Sequence, residues 1–300
     1  MNGTGPVVVG LDGSPGGKAA LRYGIREAVR LATSLELVYA PEWPSFGDAV
    51  SWWGGRIPGE RTLSDGLAEV ARTAPGLPVT TTVADGAAAE ALVTRSGTAS
   101  AVVVGAHGSA GFAALRLGAT SGQVTLHATG PVIVVPAGPD AVDGPVVVGV
   151  DESEGASLGL WYALRAASLR RTKVVAVHAW QPPRVQWPHR VQPLPSSYDE
   201  LQAEHRAILD AALGRWREAF PKVPVEYRLL PGEPAATLLA ASARAGLLVV
   251  GSRGLGAIRG GFVGSVSRAV LDQVRCPVAV VHPHRHAAAP PSRTAHLAAV

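Results

Sequence analysis

The chain repeats itself once, at long range. Residues 101–118, AVVVGAHGSAGFAALRLG, align with residues 247–264, LLVVGSRGLGAIRGGFVG, so that Gly105, Gly108 and Gly118 face Gly251, Gly254 and Gly264 at a constant offset of 146. The same offset pairs Gly86 with Gly232, and Pro131 of PVIVVP with Pro277 of PVAVVH. Nearer the start of each copy, VVVGLDGS (7–14) aligns with VVVGVDES (146–153) at an offset of 139, so the second copy holds 146 − 139 = 7 extra residues between its second and third strands. A solenoid repeats every few tens of residues; a period this long predicts two copies of a globular unit. With 300 residues, 47% of them hydrophobic and 17% charged, the chain can supply two cores, one per copy.

Inside each copy, short apolar runs alternate with stretches of helical periodicity. The first copy reads as strands at 7–11, 35–40, 79–83, 101–105 and 132–135, with helices at 18–33, 61–74, 87–96 and 119–128. The second reads as strands at 146–150, 174–179, 225–229, 247–251 and 278–281, with helices at 158–169, 198–219, 234–245 and 264–274. Apolar strands separated by helices predict parallel sheets covered on both faces. The expected fold is therefore α/β, two tandem doubly wound five-stranded parallel-sheet domains at 1–140 and 145–284. AGPDAVDGP (137–145) is read as the linker, and the Ala- and Pro-rich residues 285–300 as a disordered tail. Ligands in such folds bind at the carboxyl ends of the strands, which is where Asp12, Ala40 and Gly105 all fall.

Chemistry concentrates in GSRGLGAIRGGFVGS, residues 251–265, which joins a strand to a helix start. Glycines let a backbone approach a ligand closely, and a helix start offers unpaired N–H groups and partial positive charge, so the combination suits an anion such as phosphate. Ser265 and Ser267 offer hydroxyls, and Arg253 and Arg259 positive charge. A flexible connecting loop is the plainer alternative, and the recurrence of the stretch weighs against it. A Walker A loop is excluded, because the only Gly-Lys pair, Gly17-Lys18, is followed by Ala19 and has Asp12 where the first glycine belongs. The dinucleotide pattern fits Gly254 and Gly256 but meets Arg259 at its third position, which argues against a Rossmann dehydrogenase.

Other classes recede on composition. The net charge of +4 is too small to argue for nucleic acid, and no aromatic-basic platform is present. The first 140 residues carry 9 basic and 11 acidic side chains, leaving 27 − 9 = 18 and 23 − 11 = 12 for the rest; this surplus favours a polyphosphate in the second copy, with surface solubility as the alternative. No membrane-length apolar run or secretion signal is read, and the lone Cys276, expected to be a small buried residue, fits a reducing, cytoplasmic setting. His282, His284 and His286 alternate as metal ligands can, but an exposed tail is the expected reading. The tryptophans after the second strands (Trp43, Trp52, Trp53; Trp180, Trp187) are read as a lid, a partner surface or packing against the copy's own helices.

The spacing Gly, two residues, Gly, nine residues, Gly, then Ser or Thr resembles the nucleotide loop of the universal stress protein family, and Gly251, Gly254, Gly264 and Ser265 satisfy it fully. Gly10/Asp12, Gly149/Asp151 and the closing PVIVV and PVAVV segments are similar to that family too, so the likeness spans most of residues 5–283. It implies a tandem universal stress protein of the adenine nucleotide alpha hydrolase-like type. The resemblance further implies that the glycine loop holds the phosphates of ATP, with or without Mg2+, while the aspartate lies near ribose and adenine and the residue ending the second strand touches the base. The first site would then comprise Gly10, Asp12, Ala40, Gly105, Gly108, Gly118, Thr120 and Ser121. The second would comprise Gly149, Asp151, Ala179, Gly251, Arg253, Gly254, Gly264, Ser265, Val266 and Ser267. An aspartate in this place can instead serve only to cap the following helix or turn.

The copies depart from the pattern unequally: Ala119 stands where the first loop wants Ser or Thr, and His107 replaces Arg253. Tighter binding at the second site is the expectation. No general base, metal-binding carboxylate cluster or nucleophile elbow is evident, so a regulatory ATP-binding stress protein with at most slow hydrolysis is expected. A nucleotide-independent dimerisation module and an adenylate-transferring enzyme are the alternatives. The closing strands 132–135 and 278–281 are expected to pair the two copies, or two chains in a homodimer, at their sheet edges, and a regulatory protein partner is expected to read the state.

Overall fold

The computed structural model describes residues 5–41, 51–108, 117–138, 143–181, 198–216, 218–252, 254, 264–273 and 275–283, with backbone only for 51–58, 198 and 199. Arg253, Arg259, Trp43, Trp187, His284, His286 and the tail 285–300 lie outside the described residues. The first half contains β1 (Val7–Leu11), α1 (Pro15–Leu31), β2 (Leu35–Tyr39), α2 (Ser51–Thr73), β3 (Val79–Val83), α3 (Ala88–Ser96), β4 (Ala101–Gly105), α4 (Ala119–His127) and β5 (Val132–Val135). The second contains β6 (Val146–Gly149), α5 (Glu154–Arg170), β7 (Val174–Trp180), α6 (Tyr198–Gly214), β8 (Val225–Pro231), α7 (Pro234–Ala241), β9 (Leu247–Gly251), α8 (Ser265–Leu271) and β10 (Val278–Val281).

Each half forms the expected five-stranded parallel unit, and the two units fuse into one ten-stranded sheet, in the order β3-β2-β1-β4-β5-β10-β9-β6-β7-β8. The junction is its one antiparallel pair, with Val278 opposite Val134, Ala279 opposite Ile133 and Val280 opposite Val132. The closing strands thus pair within the chain.

Alternation along each strand sends successive side chains to opposite faces. Val7 and Val9 join one core with α1, α2, α5 and α6, through residues such as Ile25, Leu63, Leu160 and Leu209. Val8, Val102 and Val104 join the other with α3, α4, α7 and α8, through Leu92, Val124, Leu238 and Val270. There are two cores, as composition suggested, but the sheet divides them and not the repeat. Ile133 and Ala279 belong to the first core and Val132, Val134, Val278 and Val280 to the second, so both run through the junction.

Helices α1 and α5 start earlier than periodicity indicates because serine caps them. The Ser14 hydroxyl accepts from Gly17 N–H at 2.9 Å and the Ser153 hydroxyl from Ala156 N–H at 3.1 Å, satisfying donors that a helix start leaves open. Helix α2 starts at Ser51, well before the helix expected at 61–74, because the Trp- and Gly-rich residues ahead of it lower intrinsic helicity and mask the signal.

A buried ion pair ties the halves together between α1 and α5. Arg170 Nη2 donates to Glu27 Oε2 at 2.7 Å and to the Tyr23 hydroxyl at 2.6 Å, and the Arg170 and Glu27 side chains are 9% and 5% exposed. Burial pushes the Tyr23 phenol up to about 12, against the opposing pull of Arg170. On the other side of the sheet His282 is buried, not exposed as the tail reading held, with Nδ1 3.0 Å from the Gly130 carbonyl oxygen and Nε2 2.8 Å from that of Thr125. Cys276 is buried as expected, its thiol pushed up to about 11 by that burial. Among the described residues no helix is long and apolar enough to cross a membrane.

Candidate functional site

Each half carries a cleft where the strands end and the helix after the glycine loop begins. The first is lined by the whole expected set, Gly10, Asp12, Ala40, Gly105, Gly108, Gly118, Thr120 and Ser121, with His107 beside them, and encloses about 220 Å³. The second is lined by Gly149, Asp151, Ala179, Gly251, Gly254, Gly264, Ser265, Val266 and Ser267, and encloses about 410 Å³. Ligand pockets commonly hold a few hundred Å³, so both are of a size to be occupied. No Lys or Arg is among the described lining residues of either, so among them the basic surplus of the second half does not face its cleft.

Asp12 and Asp151 sit at the turn between first strand and helix. Oδ1 of Asp12 accepts from Ser14 N–H at 3.0 Å, and Oδ1 of Asp151 from Ser153 N–H at 2.9 Å. Each aspartate therefore positions the serine that caps the helix and is not the cap itself. The other oxygen faces the glycine loop: a Cβ at Gly108 would lie 2.8 Å from Asp12 Oδ2, and one at Gly254 3.1 Å from Asp151 Oδ2. A side chain at either position would crowd the carboxylate opposite it.

Gly105 and Gly251 answer to a different constraint. A Cβ on Gly105 would lie 2.6 Å from the carbonyl carbon of Gly16, and one on Gly251 2.6 Å from that of Gly155, because the first turns of α1 and α5 rest directly on the ends of β4 and β9. Gly10 and Gly149 likewise leave room for Leu92 and Leu238, at 2.9 and 3.0 Å from a built Cβ. Part of the glycine pattern is thus packing, and among the described glycines Gly108, Gly118, Gly254 and Gly264 line the clefts on the loop side.

The hydroxyls divide in the same way. Ser121 and Ser267 are buried and donate to the carbonyl oxygens of Gly105 and Gly251, the latter at 2.6 Å. A hydroxyl has one proton to donate, so these serines tie helix to strand and are not outward donors. Thr120 and Ser265 are exposed. Helices α4 and α8 have glycine N-caps, Gly118 and Gly264, with no side-chain cap, which leaves their first N–H groups toward the cleft.

The same constellation, assembled twice on a doubly wound sheet, matches one family model along nearly the whole chain: that of the universal stress protein family fits residues 3–136 and again 144–282. The chain belongs to the universal stress protein family. It is similar to a universal stress protein of Mycolicibacterium smegmatis, 32% identical over 297 residues that span 92% of this chain and 97% of that one. A universal stress protein of Mycobacterium tuberculosis is 32% identical over 292 residues, 91% of this chain and 95% of its own. Among solved structures, a universal stress protein from Archaeoglobus fulgidus superposes with a TM-score of 0.69 over 94% of this chain and 97% of its own at 17% identity, a likeness of fold.

Two histidines that the sequence reading passed over distinguish the second cleft of this universal stress protein. His178 Nδ1 lies 2.8 Å from the Val150 carbonyl oxygen, which can only accept, so Nδ1 carries a proton, and Nε2 is hydrogen-bonded to His205 Nδ1 at 2.9 Å. His205, on α6, also packs on Trp180 with ring centroids 5.2 Å apart; Trp180 is buried, so of the three readings offered for it packing is the one that applies. The repeat offsets place Tyr39 and Gly59 where His178 and His205 stand, and a Cβ at Gly59 would lie 2.5 Å from the Tyr39 ring. A ring against glycine in one half has become two hydrogen-bonded rings in the other. The pairing of 39 with 178 and of 59 with 205 is visible in the repeat, but only contact between the strand end and the helix gives it meaning.

Burial, and then the neighbouring His178, lower the pKa of His205. A histidine that binds its proton less readily when folded leaves the unfolded state to take it up first, so stability is full above the ordinary value near ~6.5 and is lost as pH falls through it. Urea unfolding should show a larger loss between about pH 7.5 and 5.5 in the parent than in His205→Gln. Equal losses would mean that His205 does not change its protonation on unfolding.

Proposed function

We propose that this universal stress protein is a cytoplasmic regulatory binder of adenine nucleotide with two unequal sites, ATP with or without Mg2+ being the expected occupant. The observation that carries the reading is the repeated grouping of an aspartate, a close-approach glycine loop and an uncapped helix start in a cleft at the strand ends. An uncapped helix start favours phosphate through its free N–H groups and partial charge. The aspartates and the residues Ala40 and Ala179 would face the nucleoside. A protein partner then reads occupancy, and turnover of ATP is incidental.

The second site binds more tightly, because Ser265 supplies the hydroxyl that Ala119 lacks. A lost hydrogen bond to a charged group is worth about 1.5–3 kcal/mol, roughly ten- to a hundredfold in affinity. Equilibrium dialysis of the full chain against labelled ATP, with and without magnesium, should give two sites per chain differing by that factor. Asp151→Ala or Gly264→Val should abolish the tighter one in a folded protein. Absence of binding at millimolar ATP would overturn the reading and leave a nucleotide-independent interaction module; unchanged affinity in both variants would overturn the site assignment.

A further inference from the structure

The basic surplus of the second half has a destination apart from either cleft. Where the two halves meet, α1, the residues leading into β6 and the turn after α5 enclose a cavity of about 380 Å³. Five cationic side chains line it: Arg26 and Arg30 from the first half, and Arg170, Arg171 and Lys173 from the second. Glu27 is buried, held by Arg170 at 2.7 Å and 3.5 Å from Arg30, Asp143 is fully exposed and 3.9 Å from Arg30, and Lys173 pairs with Glu226 at 2.6 Å, where both side chains are well exposed and the pair correspondingly weak.

Basic residues at a helix C-terminus are ordinary, since they complement the helix dipole, and that alone would account for Arg30 or Arg170. It does not account for convergence on one cavity. The first half provides an internal comparison, because its corresponding turn has the same backbone, with Ala32 at φ 50° matching Arg171 at φ 52°. There the residues are Leu31, Ala32 and Ser34 in place of Arg170, Arg171 and Lys173. The two copies share the backbone of the turn and differ in its charge, neutral in the first and triply positive in the second.

We propose that this cavity binds a compact oligophosphate anion, separately from the two clefts. Guanidinium groups match phosphate oxygens with paired donors, and Arg26 and Arg30 approach from one half while Arg171 and Lys173 approach from the other. A bound anion therefore bridges the halves and stiffens their junction.

The test is calorimetric titration of the full chain with tripolyphosphate at physiological ionic strength. A saturable component is expected that is weakened at least tenfold in Arg171→Ala/Lys173→Ala, whose side chains are exposed and outside both cores, and that persists in Gly264→Val, which removes only phosphate binding at the second cleft, and in the exposed α2 control Arg72→Ala. Any of three results overturns the proposal. They are no saturable binding below about 1 mM, loss in Gly264→Val with the double variant unaffected, and equal weakening by Arg72→Ala and the double variant, which would signify diffuse charge attraction.

Discussion

Replacing Glu27 with leucine should destabilise the protein by about 3–5 kcal/mol, the usual cost of leaving a buried charge without its partner. Arg170 is 9% exposed and its Nη2 donates to Glu27 at 2.7 Å; with the carboxylate gone, only the Tyr23 hydroxyl remains as an acceptor of that group among the contacts described. The guanidinium cannot shed its proton, so the cost cannot be escaped by titration. Removing both charges changes the outcome. Glu27→Leu/Arg170→Met buries apolar side chains in their place, and such replacements are often neutral or better. Urea unfolding should therefore show a large loss in the single variant and recovery of most of it in the double. A single variant within about 1 kcal/mol of the parent would mean that this pair behaves as an exposed one.

Gly251→Ala should have the second large effect, acting on stability and ligand affinity together. The added carbon would lie 2.6 Å from the Gly155 carbonyl carbon and 2.7 Å from its oxygen, both main-chain atoms that no rotamer change can move. Relief requires the first turn of α5 to lift off β9, costing about 1–3 kcal/mol or more. That turn carries Ser153 and is fixed to Asp151, so the second cleft deforms with it. ATP affinity there should fall at least tenfold while the first site is retained. Gly214→Ala is the matched control, since a Cβ on Gly214 meets nothing within 4 Å. Equal behaviour of the two variants would refute the close-packing account of Gly251.

Much of this arrangement was legible in the chain because it is written twice. Strand limits at Val7–Leu11, Ala101–Gly105 and Val278–Val281 coincide with apolar runs flanked by turn residues, which is the strongest local signal a buried parallel strand emits. That Asp12, Ala40 and Gly105 would share a cleft followed from strand ends, which converge at the carboxyl edge of a parallel sheet; the rest of the site set was implied by the family resemblance. What could not be read was the use of each group. Ser121 and Ser267 look like ligand donors until their burial and their carbonyl partners are known, and Gly105 looks like Gly108 until Gly16 is found against it. His178 and His205 are far apart in sequence and belong to elements whose packing no local pattern records. The single ten-stranded sheet was likewise open, since an apolar edge strand pairs equally well with a neighbour in its own chain or in another.

The junction ion pair is one-sided, and this bears on which halves can combine. By the repeat offset, Glu27 corresponds to Ala166 and Arg170 to Leu31. Two first halves joined in the same way would bury Glu27 against leucine, and two second halves would bury Arg170 against alanine. A union of second halves strands Arg170 and a union of first halves leaves Glu27 with only Arg30, 3.5 Å away on its own helix, while the union within one chain pairs Glu27 with Arg170. A pair of unlike residues at a near-twofold junction thus acts as a selector of partners. It disfavours pairing of like halves between neighbouring molecules, and its one-sided form could arise only after duplication had freed each copy from having to complement itself.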